Sequence, residues 1–236
     1  MSALRAARVV GARMLSENVR ELTLDPGEGF SFVPGQWINL RMPNASGGEP
    51  IVRAYSIASP PRADATYDVA VTRVSGGPMS TWLHEIEIGA TIEQSHAQGF
   101  FTLDDPRRPI VMIATGTGVS PIRSMLLSMR GAPPDVDVAL LFGNRTERDV
   151  LYERDFVELA AQWPRFRFVP TLSRASDDWT GKRGWVQAHV PALIDAFGGD
   201  CDAYVCGLRR MVDDVRKMLR EELKLDRKRV HTERYD

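Results

Sequence analysis

The chain has 236 residues, 43% apolar and 26% charged, with a formal net charge of -1. That length allows one large domain or two medium ones, and the near-neutral balance argues against nucleic acid or an anionic membrane as partner. No apolar run approaches the ~20 residues needed to cross a bilayer.

The first residues carry Arg5, Arg8 and Arg13 with little acid but lack the apolar core of a secretory signal. They read as the first strand of the fold, and a cytoplasmic protein is expected. Residues 1–104 then give short alternating or apolar runs: Ala7–Met14, Val19–Leu24, Gln36–Met42, Ala54–Ser59, Tyr67–Val74 and Thr91–Glu93. Turn signals such as Asp25-Pro26-Gly27, Pro34-Gly35 and Pro60-Pro61 separate them. This rhythm predicts a small antiparallel β-barrel. One helix interrupts it over Ser80–Ile86, with Ser80 or Thr81 as N-cap.

The period changes at Asp104-Asp105-Pro106-Arg107-Arg108-Pro109, read as the boundary between domains 1–104 and 105–236. Ile110–Ala114 is a continuous apolar run, as in a strand buried on both faces. Further strands are expected over Val136–Phe142, Phe166–Leu172 and Ala203–Cys206. The helices between and after them are Ser120–Met129, Tyr152–Trp163, Val186–Ala192 and Arg209–Leu223. Strand alternating with helix means βαβ units and a parallel, Rossmann-like sheet. The two cysteines, Cys201 and Cys206, sit at odd separation in one predicted strand and should face opposite sides. They match no iron–sulfur ligand set, so none is expected in this chain, and no metal site is read.

Four clusters carry chemistry. Arg53-Ala54-Tyr55-Ser56 combines a guanidinium suited to phosphate, an aromatic face and a hydroxyl. In a strand, Arg53 and Tyr55 face one way and Ser56 the other. Gly76-Gly77-Pro78-Met79-Ser80-Thr81 runs into the short helix, where free amides and the dipole suit a diphosphate. Ala114-Thr115-Gly116-Thr117-Gly118-Val119-Ser120-Pro121 is a Gly-rich turn at the carboxyl end of a buried strand, where open α/β sheets bind nucleotides. It departs from the full dinucleotide fingerprint, and no Gly-Lys-Ser/Thr follows as in a P-loop. Tyr204-Val205-Cys206-Gly207 ends a later strand with a thiol at the ligand edge. Taken singly, each is also what a plain turn, edge strand or buried cysteine looks like.

In this order, with the terminal Glu233-x-Tyr235, the four clusters resemble the ferredoxin–NADP reductase family over nearly the whole chain. The resemblance implies noncovalent FAD in the barrel, with Arg53 on its pyrophosphate, Tyr55 along the isoalloxazine and Ser56 near flavin N5. Ala54 belongs to the same strand. Backbone at Val71 and Thr72 would meet the flavin, and Gly77, Met79, Ser80 and Thr81 the pyrophosphate. Thr117 would touch FAD from across the cleft, and Tyr235 would cover the flavin face. Gly116, Thr117 and Gly118 would hold the pyridine nucleotide's diphosphate and Cys206 would sit beside its nicotinamide, with Thr115, Gly207 and Met211 also among the nucleotide-binding residues. Ser56, Cys206, Glu233 and Tyr235 are the implied catalytic set, and Asp236 extends one residue past the aromatic. Many relatives carry Gly-Pro-x-Gly before the last barrel strand, where this chain has Ser95-His96-Ala97-Gln98-Gly99-Phe100-Phe101.

The implied activity is hydride transfer between NAD(P)H and FAD, with single electrons passed to a separate ferredoxin or flavodoxin. Arg145, Ser173, Arg174, Lys182 and Arg183 would clamp a 2′-phosphate, which favours NADPH, with NADH the alternative. Arg107, Arg108, Lys224, Arg227, Lys228 and Arg229 would steer an acidic carrier. The competing readings are an NADH-dependent reductase component of an oxygenase system and a flavin-binding regulatory module without turnover.

Overall fold

The computed structural model describes residues 4–44, 47–103 and 106–235. Asp104 and Asp105 of the expected boundary, and Asp236, lie outside the described residues.

The first six strands are β1 (Arg5–Ser16), β2 (Val19–Asp25), β3 (Trp37–Met42), β4 (Ile51–Ser56), β5 (Tyr67–Thr72) and β6 (Thr91–Gln94). They form an antiparallel sheet in the order β4-β3-β6-β1-β2-β5. A bridge between Ile57 and Val69 brings the two edges together, so the sheet curls into a barrel. Leu22, Leu24, Ile38, Leu40, Ile57 and Val69 fill the inside at 0% exposure. Helix α1 (Pro78–Glu85) closes one end with Met79 and Leu83 buried. Arg20 of β2 holds it by donating to the Leu83 and Ile86 carbonyls, at 3.1 and 3.0 Å.

The rest is β7 (Ile110–Thr115), α2 (Val119–Ser128), β8 (Val138–Asn144), α3 (Glu153–Gln162), β9 (Phe166–Leu172), β10 (Lys182–Arg183), α4 (Val190–Ala196), β11 (Asp202–Leu208), α5 (Arg209–Lys217) and β12 (Val230–Tyr235). The sheet is parallel, ordered β10-β9-β8-β7-β11-β12. Its two faces follow the two-residue period. Ile110, Met112 and Ala114 enter one buried cluster, and Val111 and Ile113 the other. Cys206 and Cys201 divide the same way, and both are free thiols. The first cluster also takes in Val19, Ala58, Ala70 and Phe101 from the barrel side, so one core runs through both sheets.

Several boundaries differ from the sequence reading. β4 ends at Ser56, because Ile57 and Ala58 bond instead to the Gln36 and Asp68 carbonyls. Helix α1 starts at Pro78 with Gly77 as N-cap, which suits the missing proline N–H. Ser80 is therefore inside the helix and Thr81 follows it; neither is the cap. The helix expected over Val186–Ala192 is one tight turn at Val186–Ala188 followed by α4. The segment Ser95–Phe101 follows the last barrel strand rather than preceding it. The sequence reading missed β10 and β12. Among the described residues, no helix is long and apolar enough to cross a membrane.

Candidate active site

Ser56 and Glu233 stand 177 residues apart in sequence, and the Ser56 hydroxyl donates a 2.8 Å hydrogen bond to Glu233 Oε1. Parallel pairing creates the rest of the group. Glu233 of β12 lies opposite Cys206 of β11, which lies opposite Ala114 of β7. Burial pushes the Glu233 carboxyl up to about 7, while the Ser56 hydrogen bond opposes the rise. Burial, and then the nearby Glu233 charge, push the fully buried Cys206 thiol well up, which keeps it neutral. The Tyr235 hydroxyl is buried beside Cys206 and Ser56 yet aligned for a hydrogen bond with neither. The four residues of the expected catalytic set thus meet in one place. Beside them a cavity of about 730 Å³ opens between β12 and the barrel, lined by Trp37, Phe101, His231, Thr232 and Glu233. Phe100 stands at its rim, 99% exposed.

Along the barrel, Arg53 is exposed, and among the described residues its guanidinium donates to the Val52 carbonyl at 2.8 Å. Tyr55 packs on the barrel core, and burial pushes its hydroxyl up to about 12. Ala54 lies exposed between them. Val71 is buried, its carbonyl 2.9 Å from His84 Nε2, and Thr72 is exposed at the strand end. Two expectations at α1 need correction. Met79 points into the barrel core at 3% exposure, so only its backbone faces a ligand. The Ser80 hydroxyl is engaged with Val74 N–H at 3.1 Å and the Gly77 carbonyl at 3.0 Å, so it stiffens the turn. What this stretch presents is the first-turn amides of Met79 and Ser80, which have no carbonyl within the helix to bond. Pro78 has no N–H, and the Gly77 and Thr81 amides are bonded to the Val74 and Gly77 carbonyls at 2.9 and 3.0 Å. An exposed guanidinium, an aromatic face and these amides fit a flavin dinucleotide.

The turn Thr115-Gly116-Thr117-Gly118 sits where strand order reverses about β7, the switch point at which open α/β sheets bind ligands. Gly116 has φ +52° with open space around it. At Gly118 a Cβ would lie 2.5 Å from the Cys206 carbonyl, and at Gly207 one would lie 2.3 Å from Thr115 Oγ1 and 2.8 Å from Met211 Cε. These glycines let β7 and β11 close on each other and leave backbone as the lining. Thr115 Oγ1, Ser120 Oγ and Asn144 Nδ2, on β7, α2 and β8 around this turn, are buried with no hydrogen-bond partner among the described residues. Three orphaned polar atoms in a glycine-lined crevice fit the diphosphate and ribose of a nicotinamide dinucleotide. Thr117 Oγ1 is 3.2 Å from Thr72 Oγ1, which joins this crevice to the barrel.

At the far end of the crevice, Arg145 and Arg174 are neighbours through a 2.7 Å bond from Arg174 N–H to the Arg145 carbonyl. Both are exposed, as are Ser173 and Lys182. Arg183 is not available as expected. Its guanidinium donates to the carbonyls of Ala175, Ser176, Asp177 and Trp179, at 3.4, 2.7, 3.2 and 2.9 Å. It holds the 175–179 loop closed. Sequence reasoning also passed over Trp37 and His231, which line the cavity, and Arg123, a charge at 6% exposure inside α2. The available signal for Arg123 was an arginine within an otherwise apolar or small-residue helix, Val119–Ser128.

The fold and this site define an oxidoreductase that uses a flavin dinucleotide and a nicotinamide dinucleotide. Residues 6–102 match the oxidoreductase FAD-binding domain and residues 112–217 the oxidoreductase NAD-binding domain. Ferredoxin–NADP reductase B of Sorangium cellulosum is 45% identical over 98% of this chain and 97% of its own length. The xylene/toluene monooxygenase electron transfer component of Pseudomonas putida is 34% identical over 88% of this chain, but that match spans 59% of the relative. The structure of a cytochrome P450 reductase from Amycolatopsis superposes with TM-score 0.85 at 28% identity, covering 99% of this chain and 71% of that one. The chain belongs to the ferredoxin–NADP reductase family.

Proposed function

We propose that this oxidoreductase takes hydride from NADPH and passes single electrons to a separate ferredoxin or flavodoxin. In this reading residues 1–104 bind FAD and residues 105–236 bind the nucleotide. The observation that carries it is the Ser56–Glu233 hydrogen bond, made between the barrel and the nucleotide-binding sheet next to Cys206 and Tyr235. When bound, FAD supplies the chemistry of accepting hydride and releasing electrons one at a time.

The chain's own residues would do the following. Arg53 and the first-turn amides of α1 bind the FAD pyrophosphate, and Tyr55 lies along the ring. Ser56 and Glu233 would hold a proton beside the cavity, because a carboxyl titrating near 7 exchanges readily at neutral pH. Cys206, as a neutral thiol, fills the place beside the nicotinamide without adding charge. Tyr235 excludes water until the nucleotide displaces it. Gly116–Gly118 hold the nucleotide diphosphate.

Support for NADPH comes from exposed Arg145 and Arg174, with Lys182 nearby on β10, and from Asn144 rather than a carboxylate ending β8. The name of the Sorangium relative agrees. The second reading, an NADH-dependent reductase component for an oxygenase, draws on the similarity to oxygenase electron transfer components. Steady-state turnover with ferricyanide and each nucleotide separates the two. NADPH preferred at least tenfold in kcat/KM supports the proposal, and a clear NADH preference reverses it. A colourless protein that stays inactive after FAD addition would refute both.

A further inference from the structure

Among the described residues Arg123 is the one buried arginine or lysine, and its surroundings span both sheets. Its Nε and Nη2 donate to Asp155 Oδ2 of α3, at 2.7 and 2.6 Å. Its Nη1 donates to the Ala58 carbonyl at 2.8 Å and lies 3.6 Å from Asp68 Oδ2 of β5. The guanidinium sits over the Tyr152 ring, 4.1 Å from its centre. Tyr152 holds φ +57° to present that ring, a costly conformation for an aromatic residue. The next residue continues the grip: the Ser124 hydroxyl donates to the Ser59 carbonyl at 2.6 Å.

Ala58 and Ser59 come directly after Ser56 and Ile57. Their other bonds go to β5, with Ala58 N–H on the Asp68 carbonyl at 2.7 Å and Asp68 N–H on Ser59 Oγ at 3.0 Å. The end of the Arg53–Ser56 strand is therefore clasped by α2 on one side and β5 on the other. The amino end of α2 is the turn Gly116–Gly118. One short helix thus carries the nucleotide cradle at its start and holds the flavin-side strand a turn and a half further on. An apolar residue at 123 would fill this place without burying a charge, and buried ion pairs seldom stabilise a fold more than apolar packing. What the guanidinium adds is direction, since its planar donors fix angles as well as distances.

We propose that Arg123 is a positioning residue that sets the distance between the nucleotide cradle and the Arg53–Ser56 strand, and through it the rate of hydride transfer. This rests on the function proposed above, but one arm of its test does not. The variants are Arg123→Met, Arg123→Lys and Ser124→Ala. In the ligand-free protein, amide hydrogen exchange over residues 57–59 should quicken at least tenfold in Arg123→Met, while β1 and β2 stay protected. With FAD bound, the limiting rate of flavin reduction at saturating NADPH should fall about 10- to 100-fold, since a misplacement of about 1 Å can cost that much. The nucleotide Kd should stay within about threefold, and Arg123→Lys should recover part of the rate. Should Arg123→Met fail to fold, Arg123→Lys and Ser124→Ala are read the same way, with a fall of about threefold or more expected. Unchanged exchange over 57–59, or a lower melting temperature with an unaltered limiting rate, overturns the proposal. A wild-type protein whose flavin neither nucleotide reduces refutes the function, and the exchange arm still judges the clasp.

Discussion

Replacing Glu233 by Gln tests the electrostatics of the site directly. Burial holds the carboxyl at about 7 in the fold, against an ordinary 4.5. A displacement of about 2.5 pH units is worth about 3 kcal/mol at 1.36 kcal/mol per unit. Glu233 keeps some contact with solvent, and screening reduces this to about 1.5 kcal/mol. The folded pKa is the higher one, so the fold binds the extra proton between pH 4.5 and 7. The stability linked to that proton is fully present below pH 4.5 and is lost as pH rises through 7. Glutamine keeps the shape and the Ser56 contact but carries no charge. Thermal unfolding of the ligand-free protein should therefore show Glu233→Gln level with wild type near pH 5. Near pH 8 it should melt higher by about 3–6 °C, taking about 2–4 °C per kcal/mol for a chain of this size. The same variant should lose any inflection near pH 7 in the rate of flavin reduction. Equal or lower melting of the variant near pH 8 would show that Glu233 is not desolvated as described.

Cys206→Ser should slow flavin reduction about tenfold, a loss of about 1.4 kcal/mol, with FAD still bound; an unchanged rate in stopped flow removes the thiol from the site. Arg145→Ala with Arg174→Ala should raise KM for NADPH about tenfold or more and leave NADH alone, since a charged hydrogen bond is worth about 1.5–3 kcal/mol. Arg183→Ala should leave the NADPH to NADH ratio as it was and lower the melting temperature instead, because its donors close the 175–179 loop; a lost preference would return Arg183 to the phosphate. Phe100→Ser at the cavity rim should raise KM for the carrier protein but not for ferricyanide, and carrier turnover should fall as salt rises if the Arg107–Arg108 and Arg227–Arg229 segments, which meet where Arg108 and Arg229 both pair with Asp200, steer it.

Alternation made the barrel legible, and the continuous run at Ile110–Ala114 announced the parallel sheet. Ser56, Cys206 and Glu233 were legible only as a set, because nothing local to any of them shows that parallel pairing brings two of them level. β12 escaped because its residues, His231-Thr232-Glu233-Arg234, are polar enough to pass for a solvated tail. They form a strand because β11 offers a partner edge. Arg183 and Ser80 misled for a common reason. A polar side chain next to a turn looks ready for a ligand, and only the folded backbone shows that its own neighbours have already engaged it. Arg123 carried the opposite signal, a charge in apolar company, and its partners Asp68 and Asp155 are spread over two other elements.

The outer wall of the barrel, at Val19, Ala58, Ala70 and Phe101, belongs to the same packed interior as Ile122, Met125 and Leu126 of α2. A chimaera cut at the junction would leave both halves with a sticky flank shaped for a counterpart it no longer has. On the reading proposed above, exchanging nucleotide preference between relatives calls for grafting Arg145 together with the 173–183 segment rather than trading whole halves.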